Sequence, residues 1–347
     1  AGFRYHVGLD SIRLEEWYQS CPDIFDLSTK FLKEERRYQP LWIILCSLLK
    51  TITPAFSLLQ IVQSGIINVL IFSYIKKITP YIFSGILIYF LLAYLVFNFE
   101  IMRESLAVAI SLSAVSCIEK RKWMKFLIIT LVAYGMHVSA LIVLLFPLLY
   151  NIRIGKYHVL FSLTVVLSVS LLYAKYIDLL FAVLSSNSDN ISKSISTYIY
   201  AGNIGNSWKY YISIYLNGFL LPIGFLYIRK TRFMEEFKYS SLILLFSVFS
   251  LLGNQSVAFL RFSNYQLLFY VILSAEIYQY ALRKIAHRIV TGISFCLIVS
   301  FTFVYSMFKR VPFLGDIYTY SRYYPYKSIL FKETDFNREK WSREEFK

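Results

Sequence analysis

Charge is scarce in this sequence. Asp, Glu, Lys and Arg make up 16% of its 347 residues, too few to clothe a water-soluble domain of that length. Cysteine occurs four times, as Cys21, Cys46, Cys117 and Cys296, without the spacing of a metal-ligand set. That pattern gives no disulfide framework and no metal site, and three of the four lie in apolar runs as small buried hydrophobes. No internal repeat or low-complexity tract is present. The strict alternation of barrel strands is missing as well, which excludes an outer-membrane barrel.

Apolar side chains dominate instead, at 57% hydrophobic and 18% aromatic, with a mean hydropathy of +0.54. The runs last roughly 18 to 25 residues, the length of a helix that crosses about 30 Å of hydrocarbon. The expected fold is therefore all-α: one polytopic helical membrane domain over residues 1–347 with about 9 to 11 transmembrane or re-entrant helices. Candidate helices lie near 55–75, 79–98, 101–118, 124–150, 157–175, 209–228, 239–253, 257–281 and 289–308. Residues 1–40 form a mixed-charge periplasmic leading segment, 41–308 hold the membrane helices, 176–208 read as a Ser/Asn-rich periplasmic loop, and 309–347 are a polar tail. The chain opens AGFRYHVGLD with neither Met nor a signal-peptide pattern, so a membrane helix upstream is expected.

The net charge of +15 reads as a topology signal and not as a nucleic-acid surface. Five basic clusters, IKK at 75–77, EKRKWMK at 119–125, NIRIGK at 151–156, RKTRFMEEFK at 229–238 and RKIAHR at 283–288, carry 15 Lys and Arg. The three intervening loops carry 5. Placing the clusters in the cytoplasm forces the run from Met124 to Tyr150 to leave and return on one side. It is too short for two ordinary spans, so it must break, and AYGMHVSA supplies the place with Gly135, His137 and Ser139. A similar dip is expected at LWIILCSLLKTITP, closed by Pro54.

This topology gathers polar residues on the outer face. Arg103 opens the helix at 101–118 beside Glu100 and Glu104, His137 sits at the hairpin tip, Arg261 opens the helix at 257–281, and Arg4 and Asp10 lie in the leading segment. A guanidinium in the first turn of a helix adds its charge to the positive dipole end and matches phosphate bidentately. An anionic lipid-linked phosphate is the simplest partner, and no cofactor is expected. Bland roles stand beside these: an ion pair of Arg103 with Glu100 or Glu104, Arg261 snorkelling to headgroups, His137 as a packing residue, Arg4 and Asp10 as solvated charges, and His6, His158 and His287 as surface residues. The aromatic stretch IYTYSRYYPY at 317–326 fits an interfacial belt or a sugar-stacking surface.

The stretches AGFRYHVGLDS (Arg4, Gly8, Asp10), FEIMRESLAVAI (Arg103, Ser105, Ala107), EKRKWMKFLIITLVAYGMHVSALIVLLFPL (His137, Ser139, Ala140) and LRFSNYQLLFYVIL (Arg261, Tyr265) resemble the EpsG family, relatives of the bacterial Wzy-type polysaccharide polymerases. Where the family pattern usually carries Gln, this chain has Glu104. The resemblance implies a GT-C-like, Wzy-like fold in the bacterial inner membrane, multi-pass, with its active site facing the periplasm. It implies a metal-independent, inverting glycosyl transfer that joins undecaprenyl-pyrophosphate-linked oligosaccharide repeats of O-antigen, capsule, lipopolysaccharide or exopolysaccharide, with the bilayer and a chain-length regulator as partners. Read together with the residues, it assigns catalysis to His137, Arg103, Arg261 and Asp10 and substrate binding to Arg4, Arg103, Arg261, Glu100 and Tyr265. A lipid-linked glycan flippase and a membrane O-acyltransferase are the rival readings.

Overall fold

In the computed structural model, the described residues are 1–35, 37–152, 237–253, 257–283 and 318–331, with isolated positions elsewhere. The expected helices at 157–175, 209–228 and 289–308, the loop at 176–208, Cys296, His158, His287 and most of the tail lie outside them. The chain divides into two compact units, Ala1–Leu141 with Val299–Lys347, and Ile142–Ile298. The described residues are mostly helical and form no strand; a lone antiparallel bridge joins Arg4 to Ser328.

The first unit begins with α1 (Leu9–Ser20) and the short α2 (Thr29–Glu34). Lys50 of α3 (Pro40–Ile52) reaches the carboxyl end of α1, donating to Tyr18 O at 3.3 Å, Gln19 O at 2.7 Å and Cys21 O. A cation on the otherwise unpaired last carbonyls of a helix satisfies them and opposes the dipole. Pro40 fits the first turn of α3, where no N–H is needed. The helix closes at Thr53, held extended before Pro54. α4 (Phe56–Ile78) is 23 residues long, and among the described residues it is the helix long and apolar enough to cross a membrane.

α4 packs on α6 (Met102–Glu119), and polar groups fasten the two together. Gln63 Nε2 donates to Met102 O and Ser105 Oγ, both at 3.3 Å, and Asn68 Nδ2 reaches Asn98 Oδ1, just ahead of α6, at 2.8 Å. α6 brings small residues to its contacts with α4 and α7 (Trp123–Met136): Ala107, Ala109, Ser111 and Ala114 are buried. The expected helix at 79–98 starts as α5 (Ile82–Tyr89) and widens into π-helical turns, Phe90–Tyr94 and Val96–Glu100. Asn98 is buried in that widened stretch and donates to Tyr94 O at 3.0 Å.

The run from 124 to 150 breaks where AYGMHVSA indicated. α7 ends at Met136, His137 is extended, and the chain continues as a 3-10 helix (Val138–Leu145) and a last turn, α8 (Phe146–Leu149). Gly135 does more than weaken the helix. A Cβ there would lie 2.5 Å from Leu41 side-chain atoms, so it lets α3 and α7 approach closely.

In the second unit α9 (Ser240–Leu252) packs on α10 (Val257–Asn264) and α11 (Leu267–Arg283). Ser240 Oγ donates to Ile152 O at 3.0 Å and Ser241 Oγ to Leu149 O, fastening α9 to the end of α8. The single helix expected over 257–281 is two helices, broken at Tyr265 and Gln266.

Candidate functional site

The first unit has a polar centre where α5's π-helical extension meets the leading segment and the stretch 318–331. Three backbone hydrogen bonds hold those two segments together: Tyr5 N to Lys327 O at 2.9 Å, Gly8 N to Arg322 O at 3.0 Å, and Ile329 N to Phe3 O at 3.0 Å. Inside this clasp Arg4 is fully buried, at 0% exposure. Its guanidinium lies over the Phe99 ring, 5.2 Å from the centroid, and Nη1 donates to Ala1 O at 3.1 Å. Burial pulls its pKa down to about 10, with Tyr326, Glu100 and Tyr94 opposing, and it stays cationic at neutral pH. Arg4 is therefore not a solvated loop charge.

Glu100, also buried, ends the π-helical stretch. Its Oε2 lies 3.8 Å from Arg322 Nη1, and it accepts a hydrogen bond from the Tyr323 hydroxyl. Burial first, and Glu100 second, push the Tyr323 hydroxyl well above its ordinary range. Arg322 was not among the residues singled out by sequence. Its signal lay within IYTYSRYYPY, where the aromatics hid it.

Arg103 stands where expected, the second residue of α6. Its guanidinium lies over the Tyr38 ring, 4.4 Å from the centroid, and Nη1 donates to Arg37 O at 3.3 Å. Asp10 lies in the first turn of α1. His137 is buried at the break after α7, with Nδ1 2.6 Å from Ser139 Oγ and its backbone N–H bonded to Ala133 O at 3.0 Å.

Arg261 departs from expectation. It lies in the last turn of the eight-residue α10 and not in the first turn of a long helix, so the dipole there favours the arginine cation itself over a bound anion. Tyr265 is buried at the break that follows. Beside it Gln266 is fully buried, and neither its Oε1 nor its Nε2 reaches a partner among the described residues. This amide was also missed. Among the described residues no three His, Cys, Asp or Glu side chains are grouped to hold a metal ion.

His6, expected at the surface, is instead a bridge. Nε2 lies 3.2 Å from Glu15 Oε2 of α1 and Nδ1 3.3 Å from Glu339 Oε1. Arg338 reinforces the same junction by donating to Ser321 O at 3.0 Å and Pro325 O at 2.8 Å. The hydrogen bond that His6 donates to Glu15 raises its pKa, followed by the Glu15 charge and Glu339, against burial. A group whose folded pKa is raised stabilises fully below its unfolded pKa, about 6.5, and that stability fades as pH climbs through the folded pKa. Taking the protein from about pH 6 to about pH 9 should lower its melting temperature by about 2 to 4 °C more in wild type than in His6→Gln. Equal slopes in the two proteins would remove His6 from the junction's energetics.

Compared with models of protein families, residues 1–328 match the one described as the EpsG family. No curated protein matches, and no solved structure does.

Proposed function

We propose that this chain, which belongs to the EpsG family of Wzy-like polysaccharide polymerases, lengthens a surface polysaccharide by transferring a growing glycan from undecaprenyl pyrophosphate to the next lipid-linked repeat unit at the periplasmic face of the inner membrane. Membership makes it a membrane protein of polysaccharide biosynthesis. The finer reading is supported chiefly by Arg103. Its guanidinium sits in the first turn of α6, held against Tyr38, where helix dipole and side chain both favour a phosphate.

In this reading Arg103 and Arg4 of the first unit bind substrate phosphates. The pyrophosphate gains negative charge as its bond to the sugar breaks, so fixed cations in a water-poor setting stabilise the transition state more than the ground state. His137 takes the proton of the acceptor hydroxyl, with Asp10 or Glu100 as the alternative base.

A ladder gel of surface polysaccharide tests this. Deleting the gene should collapse the ladder to one repeat unit, and Arg103→Ala at matched membrane level should fail to restore it. An intact ladder on deletion would transfer the case to glycan transport or O-acylation.

A further inference from the structure

Arginine binds carboxylates and phosphates most tightly through two parallel N–H bonds. One such edge of the guanidinium is formed by Nε and Nη2. In Arg4 these two nitrogens are buried without an acceptor among the described residues, while the third, Nη1, is tied to Ala1 O. The head group is thus oriented by one bond, braced by the Phe99 face, and withdrawn from water with its anion-matching edge unengaged. Burying a cation with part of its edge unengaged is costly, and an anion bound to that edge would offset the cost.

The surroundings suit an anion. Arg322 supplies a second guanidinium beside the same centre, restrained by Glu100 at 3.8 Å. Glu100 also compensates the two cations when no ligand is bound. Tyr94 and Tyr326 lie close enough to Arg4 to interact with it electrostatically. Arg103, by contrast, already spends contacts on Tyr38 and Arg37 O.

We propose that the Nε/Nη2 edge of Arg4, with Arg322 as the second cation, is the subsite that grips an oxyanion of the substrate, and that the anion enters as the 318–331 segment is displaced from the leading segment. The proposal deepens the polymerase reading and rests on it for the nature of the substrate. The oxyanion is a phosphate of the lipid carrier or a carboxylate of an acidic sugar.

The test is the melting temperature of the full-length chain in detergent, followed by tryptophan fluorescence, with inorganic pyrophosphate or glucuronate added. Wild type should gain several degrees with one of the two anions. Pyrophosphate protection identifies a phosphate, and glucuronate protection a carboxylate. Arg4→Lys keeps the charge but loses the paired edge, and Arg322→Gln loses the second cation; both should lose most of the gain. Should Arg4→Lys fold poorly, Arg322→Gln alone carries the test, since it lies at the partly exposed side. Wild-type protection in the folded variants, or no protection of wild type by either anion, overturns the subsite. The outcome separates from the gel: an intact ladder with lost anion protection removes the polymerase and keeps the subsite, whereas a collapsed ladder with unchanged protection does the reverse.

Discussion

Replacing His137 with Ala should slow glycan growth by about 10²- to 10⁴-fold, the usual worth of a positioned general base, with the protein still in the membrane at its normal level. The backbone supports that separation, since the N–H of residue 137 bonds to Ala133 O whatever the side chain. The ring itself is held by Ser139 Oγ at 2.6 Å from Nδ1. When Nδ1–H donates to that oxygen, Nε2 keeps a lone pair for the acceptor's proton. The Ser139 hydroxyl can rotate to donate instead, so the ring can change tautomer without leaving its place. Ser139→Ala should therefore cost roughly tenfold, the value of one orienting hydrogen bond. Timed polymerisation with matched amounts of each variant measures both. Full rate and chain length in His137→Ala would hand the proton to Asp10 or Glu100.

Gly8→Ala should be the most damaging single methyl in the leading segment. Gly8 has φ +96°, a conformation L-residues seldom adopt, and an added Cβ would stand 2.2 Å from the carbonyl oxygen of Phe99. That oxygen belongs to the π-helical stretch ending at Glu100, so relief requires moving the backbone that carries the carboxylate. A strained φ costs about 1 to 3 kcal/mol, and the overlap adds to it. The Gly8 N–H also bonds to Arg322 O, and Gly8 O accepts from Ser11 Oγ at 2.7 Å. The variant should show a lower melting temperature and faster proteolysis of the leading segment. Wild-type values for both would mean that the contact with Phe99 relaxes easily.

How much of this could be read from the chain depends on how far each signal reaches. The break at His137 was legible because Gly135, His137 and Ser139 interrupt an apolar run within a few residues. The start of α6 at Arg103 was legible for a similar reason. The break at Tyr265 and Gln266 was not, because SNYQ contains neither Gly nor Pro and its neighbours are as apolar as any helix. That is why Arg261 was placed at the wrong end of its helix. The widening of α5 into π turns left no trace either, since FLLAYLVFNFE would serve an ordinary helix equally well. Arg322 and His6 were missed because their partners, Glu100 and Glu339, are distant in sequence, and only tertiary structure shows that a buried charge has found an opposite.

The clasp of the leading segment by residues 318–331 also sets an order of assembly. His6 meets Glu339 across 333 positions, so residue 6 waits for a partner made long after it. Helices such as α4 and α6 can be packed beforehand, but Arg4 cannot be enclosed until translation has passed Ser328. A nascent or prematurely terminated chain thus lacks the enclosure while already holding those helices. Newly made copies would enclose Arg4 in a single late step.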